Sequence, residues 1–235
     1  MRPGPRRSLT HAEILDAAFE LLESRGFDAV SVRGVAGALG LTPTAMYTYY
    51  PNKQALLAGM VEQVLGRLPV GANRATTDAA GGEHSATEPD ARQRVQVLAR
   101  DLRTLLVERP GAVGLLLATP LDGPNAARLD EELLAAFTGA GLDLVAAGRA
   151  AHAVRIHVLG AVAFDAVEAA RATGGTSHDP DAGPAPVAAS DTLWDDLESF
   201  PLSERRREFA DDPAERFAWG LDRLLDGLLA AVRSA

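Results

Sequence analysis

The chain has 235 residues, 47% of them apolar, no cysteine and a formal net charge of −9. That is enough apolar material for a core, and the missing thiols exclude disulfides, thiolate nucleophiles and Cys-ligated zinc or iron–sulfur sites. The acidic balance argues against nucleic acid until it is divided: residues 1–55 hold six basic groups against five acidic ones, whereas residues 56–235 hold 17 against 27, so the first quarter can approach phosphates that the remainder repels.

The opening "MRPGPRRSLT" has arginines but no apolar segment behind them, so no cleavable signal is expected. Nor is any apolar run expected to be long enough to span a bilayer. The expectation is a soluble cytoplasmic protein with no membrane partner. The first helix starts at Thr10, an N-cap with Glu13 three residues later in a capping box and Leu9 and Ile14 as a hydrophobic staple. Ile14, Ala18, Leu21 and Leu22 continue at helical spacing, and Gly26 stops the run. Ser31 caps a short second helix, Val32 to Leu39, ended by Gly40. Thr42 caps a third, with Pro43 in its first turn, where a missing N–H costs nothing. Pro51-Asn52 breaks it. A fourth helix from Lys53 to about Leu68 turns Leu56, Leu57, Met60, Val61 and Val64 inward.

Residues 69–90 are small, polar and unpatterned and read as a linker. Helical patterns alone follow, over about 91–108, 111–118, 125–140, 143–172, 202–210 and 213–233, with a Gly/Pro/Ala-rich loop at 173–191. The chain is therefore all-α. It divides into an N-terminal three-helix helix-turn-helix domain, 1–66, and a C-terminal helical domain, 67–235.

Two short helices joined at Gly40, the second of them capped, form a helix-turn-helix candidate. The stretch "GLTPTAMYTYYPNK" contains all three tyrosines and the single lysine of the chain. Thr42 and Thr44 can bond bases or phosphates, and the threonine methyls and Ala45 suit a thymine methyl. Tyr47 and Tyr49 reach phosphate oxygens, which fixes register rather than sequence. Lys53 sits where a cation opposes the helix dipole, so a phosphate partner accounts for it. Arg33, behind the Ser31 cap, holds the backbone or a base edge. Ser31, Arg33, Thr42, Pro43, Thr44, Ala45, Tyr47, Tyr49 and Lys53 are the DNA-binding candidates. Tyr50, Met46 and Val35 are assigned to the core.

Residues 9–66 resemble the N-terminal domain of the TetR/AcrR family of transcriptional regulators, through Gly26-Phe27, Ser31-Val32-Arg33, Ala36, Gly40, Tyr47, Tyr49-Tyr50 and Asn52-Lys53. The sequence departs from the pattern of many members in one place. They carry a lysine in the first turn of the recognition helix, and here that turn is Thr42-Pro43-Thr44. "GPNAARLDEELLAAF" and "FAWGLDRLLDGLLAAV" resemble one C-terminal domain type of the same family more loosely. The resemblance implies a homodimer on a two-fold symmetric double-stranded operator, usually a repressor released by a small-molecule effector.

On the wheel of 213–233, Phe217, Leu221, Leu224, Leu225, Leu228 and Val232 share an apolar arc beside a stripe of Gly220, Gly227 and Ala231. Glycine inside a helix costs about 1 kcal/mol against alanine, so two of them ask for a close neighbour. Gly220, Leu224, Gly227, Leu228 and Ala231 are the dimer-interface candidates, with Trp219 at the rim. On the wheel of 143–172, His157 falls on a solvated face, while His152 and Arg155 fall among Val145, Ile156, Leu159, Val162 and Ala163. Burying those two is costly without partners, and three explanations stand: an intrachain bond or ion pair, a dimer-interface pair, or ligand recognition. The third predicts a cavity walled by Leu102, Leu106, Leu116, Phe137, Ile156 and Leu159, with His152 and Arg155 as polar anchors.

His11, His84 and His178 share no ligand spacing, so no metal is expected; no cofactor and no catalytic constellation is expected either. Two alternatives to a ligand-responsive repressor remain: a regulator or activator that works without a ligand, and a helical enzyme or small-molecule carrier fused to a DNA-binding module.

Overall fold

The computed structural model describes residues 9–70, 88–172, 202 and 212–230. Among them every regular element is helical: α1 (His11–Arg25), α2 (Val32–Ala38), α3 (Pro43–Tyr47), α4 (Lys53–Leu65), α5 (Glu88–Val107), α6 (Pro110–Ala118), α7 (Pro124–Gly139), α8 (Leu144–Ala172) and α9 (Pro213–Ala230). A single 3₁₀ turn, Phe27–Ala29, follows α1 and carried no signal in the sequence. The helix expected over 202–210 and most of both expected loops lie outside the described residues.

Local chemistry sets the first four helices. The Thr10 hydroxyl accepts the Glu13 N–H and the Glu13 carboxylate accepts the Thr10 N–H, a complete capping box. Ser31, Thr42 and Asn52 each accept one backbone N–H at the start of α2, α3 and α4. Caps of this kind are worth about 1 kcal/mol each, which matters most for α2 and α3, too short to hold themselves. Gly40 takes φ +65°. Its N–H bonds the Gly37 carbonyl, and the Leu41 N–H bonds that of Ala36 at 2.8 Å, the two bonds of a Schellman turn. This turn aims α3. Gly141, φ 103°, closes α7 in the same way.

Helices α1–α4 form a head with Ile14, Ala18, Val35, Met46, Leu56 and Met60 fully buried in its core, and α5–α9 form a body. In the body, α8 is the spine, packed against α5, α6, α7 and α9. It turns Ala147, Ala150, Ala151, Val154, Val158 and Val162 inward, small residues that let its neighbours close in. Its rotation differs from the wheel reading: His152 is exposed and Ile156 is 57% exposed, whereas His157 is half-buried against α9. The reason is that α8 has two apolar faces, a narrow one of alanine and valine and a bulkier one, and the bulkier one faces out.

Residues Leu144–Ala169 of α8 are long and apolar enough to cross a membrane, contrary to the expectation from sequence. Its charged side chains are engaged laterally, however: Arg155 with Asp130 of α7, and Asp165 with Arg103 of α5 and Arg216 of α9, both at 2.9 Å.

Contacts between head and body include three specific ones among the described residues. The Glu62 carboxylate of α4 accepts the Asn125 and Ala126 N–H groups at the start of α7, at 2.7 and 3.2 Å. Leu22 of α1 packs on Gly111 of α6. The Arg109 guanidinium sits 5.1 Å from the Phe19 ring centroid.

Candidate functional site

The Schellman turn and the Thr42 cap set α3 on the surface of the head with Thr42, Pro43, Thr44 and Tyr47 exposed and Met46 fully buried beneath them. Ala45 is half-buried. Thr42 and Ser31 spend one hydroxyl lone pair each on capping, which leaves the O–H donor and a second lone pair of each for a partner. Arg33 is exposed on the first turn of α2 and makes no ion pair among the described residues. The Thr48 hydroxyl, by contrast, is committed to the Ala45 carbonyl at 2.6 Å.

The tyrosines divide. Tyr47 is 44% exposed. Tyr50 is buried under Gly59, where an added Cβ would stand 2.9 Å from its ring, and burial pushes its phenol above the ordinary tyrosine range. Tyr49 is half-buried, edge-on to the His11 ring at 5.6 Å between centroids. His11 therefore ties two of the three tyrosines to α1, since its Nδ1 also lies 3.2 Å from the Tyr50 hydroxyl. Nothing in the local pattern around His11 signals that role, since thirty-nine residues separate His11 from Tyr50. Lys53 also has an intrachain contact: its ammonium lies 5.0 Å from the Phe27 ring centroid. A cation–π contact at a site of this kind is worth about 0.5–1 kcal/mol, so folding explains part of its placement.

The residues proposed as an effector site are not brought together. Leu102, Leu116 and Phe137 are buried core, and His152 and Ile156 are exposed on the outer face of α8. Leu159 is half-buried, and Arg155 is paired with Asp130. Of the three explanations for Arg155, the structure contains the intrachain ion pair. Leu106 does line a cavity, about 350 Å³ in volume, between α5, the start of α6, α8 and the start of α9, with Arg103, Val107, Pro110, Val162 and Asp165. There Arg103 stacks 5.3 Å from the Phe217 ring centroid and bonds Asp165, but its Nε is buried with no hydrogen-bond partner. The sequence could not show this, because Arg103 and Asp165 lie 62 residues apart.

The outer faces of α8 and α9 both carry exposed apolar side chains. Val145, Ile156, Phe164 (73% exposed), Val167 and Trp219 all face solvent. Gly227 is exposed with nothing within 4 Å of an added Cβ, and Leu224 and Leu228 are half-buried beside it. Gly220 has a different role from the one expected: an added Cβ would stand 2.7 Å from His157 of the same chain. That ring stacks on Phe217 and bonds its carbonyl at 3.1 Å. The close neighbour that Gly220 requires is thus intrachain. Ala231 lies outside the described residues.

Comparison with known proteins covers both halves. Residues 14–60 match the family model for bacterial regulatory proteins of the tetR family, and residues 86–232 match the tetracyclin repressor-like C-terminal domain. An HTH-type transcriptional regulator of Saccharopolyspora erythraea is 32% identical over 164 residues, 68% of this chain and 62% of that protein, so the match leaves more than a third of the relative's length uncovered. An HTH-type transcriptional repressor of Mycobacterium tuberculosis is 28% identical over 95% of this chain and 84% of its own. The fold matches that of Streptomyces coelicolor ActR, solved in complex with actinorhodin, with a TM-score of 0.69, 22% identity and coverage of 96% of this chain and 99% of that one.

Proposed function

The chain belongs to the TetR family of bacterial transcriptional regulators, and from that premise we propose that it is a ligand-responsive repressor, acting as a homodimer on a palindromic operator in the cytoplasm. The observation that carries the reading is the placement of α3. Its outward positions are Thr42, Pro43, Thr44 and Tyr47, all exposed, and among the described residues their side chains make no hydrogen bond beyond the Thr42 cap. A short helix presenting hydroxyls at its first turn suits the major groove.

In this reading residues 1–66 are the reading head and residues 67–235 the effector-binding and dimerisation body. Thr44, with the Ala45 and Thr42 methyls, contacts base edges; Tyr47, Lys53, Arg33 and Ser31 hold phosphates; Tyr49, locked to His11, adds its hydroxyl from the flank. The exposed apolar side chains of α8 and α9 support a second copy as their cover. Exposed apolar patches of this extent mark interaction sites, and a symmetric partner offers the same stripe in return.

The effector site in this reading is the cavity between α5, α6, α8 and α9. Leu106, Val107, Pro110 and Val162 make it apolar, and the unpartnered Arg103 Nε offers one donor. A largely apolar molecule with a hydrogen-bond acceptor fits that lining. A relative solved with a small molecule, ActR with actinorhodin, is in keeping with this.

The test is a gel-shift titration of the purified chain against DNA of its own upstream region, with mass measured on the complex. Two chains per palindrome and loss of binding with Thr44→Ala plus Tyr47→Phe are the expected results. Undiminished affinity in that double variant would refute the assignment of α3.

A further inference from the structure

We propose that the cleft between α4 and the turn joining α6 to α7 is a second small-molecule site, one that takes a compact apolar cation of the arylalkylamine type. The cleft has a volume of about 460 Å³ and shares no lining residue with the cavity assigned to the effector. Ala55, Leu57 and Ala58 of α4 and Pro120 opposite give it apolar walls. Four polar side chains complete it: Asn52, which caps α4, the exposed Gln54, and Thr119 and Asp122, whose side chains have no partner among the described residues.

Thr119 is 8% exposed, and its Oγ1 is closed off from solvent without a hydrogen-bond partner. A buried hydroxyl left alone is costly and uncommon; Thr119 is the residue that ends α6, and its hydroxyl makes no capping bond there. A ligand donor or acceptor is what it lacks. Asp122, at the mouth, is exposed and makes no ion pair among the described residues. It is the one ionisable side chain among the residues lining the cleft, so the local field favours a cation and disfavours a carboxylate. An amine at Asp122 places an attached ring between Ala55, Leu57 and Ala58.

Such a molecule bridges α4, the helix leading out of the reading head, and the body. Its occupancy is therefore felt by the head independently of the other cavity.

The experiment follows backbone amide resonances of the full chain during titration with phenethylamine and, separately, with hydrocinnamate, its carboxylate counterpart. Phenethylamine is expected to shift the amides of Leu57, Ala58, Ala118 and Thr119, and hydrocinnamate to leave them in place. Asp122→Asn should weaken the amine by about three- to fivefold, the scale of one exposed ion pair. Thr119→Val should also weaken it while raising the Tm of the free protein, because the orphan hydroxyl is gone. Equal binding of the carboxylate, shifts mapping elsewhere, no shift at all, or a lower Tm for Thr119→Val would each overturn the proposal.

Discussion

The Glu62 carboxylate takes the Asn125 backbone N–H at 2.7 Å, and the Asn125 side-chain amide returns a bond to the Glu62 carbonyl at 2.9 Å. The two helices are thus tied end to end: Glu62 satisfies two donors at the start of α7, and Asn125 adds a second bond to a carbonyl in the last turn of α4 that already accepts the Gly66 N–H. A carboxylate there also complements the positive end of the α7 dipole. At this point head and body are fastened by polar groups with fixed directions.

Glu62→Ala is expected to destabilise the protein by about 1–3 kcal/mol, the cost of leaving part-buried donors without their acceptor. Gly123→Ala should approach the same loss without removing the carboxylate, since its Cβ would stand 2.3 Å from the Glu62 Oε1. Urea denaturation measures both. Stability equal to wild type in Glu62→Ala would show that water replaces the carboxylate at no cost.

Operator binding should fall steeply with salt. Lys53→Ala is expected to lower the salt slope by about 1 per half-site and to weaken binding to all sequences alike. Tyr47→Phe should cost about 1.5 kcal/mol per half-site, as for a bond to a charged acceptor. Thr44→Ala should instead change which base is preferred. Titrations at several salt concentrations against a set of single-base operator variants separate these outcomes.

Gly227→Leu should leave the monomer folded, because nothing lies within 4 Å of its Cβ, yet block close approach of a second α9. Half-sites lie about 34–36 Å apart, so separated chains would lose most of their operator affinity. Sedimentation velocity reads the assembly state directly. A variant that sediments as a dimer, or a wild type that sediments as a monomer, removes α9 from the interface.

Alkaline stability should depend on Tyr50. Burial raises its phenol above the ordinary value of 10.0, so the folded chain keeps a proton that the unfolded chain has lost. Unfolding then binds fewer protons than folding, and stability falls as the pH rises from about 10 through the folded-state value. Tyr50→Phe should show a shallower decline there in denaturant titrations at stepped pH. An identical slope in both proteins would mean that the phenol is solvated.

The head was legible in the sequence because its determinants are local: Thr10 with Glu13, Ser31 with Gly34, Thr42 with Ala45 all lie three residues apart. The body was legible as helices but not in their rotation. Along α8, alanine and valine on one side and isoleucine and phenylalanine on the other are both apolar, and a wheel ranks bulk without knowing which side the neighbours can accept. That is why His152 and His157 exchange environments between expectation and structure. The Arg103–Asp165–Arg216 network and the Arg155–Asp130 pair join residues 25 to 62 positions apart, beyond the reach of any periodicity. Thr119 gave no signal because its isolation comes from packing around it.

Under the proposed pairing, the outward Ile156 and Phe164 would also tie stability to concentration. An apolar side chain that leaves water only on pairing adds to stability only above the concentration at which pairs form. A lone chain would then be the less stable form, and its apparent Tm would rise with protein concentration.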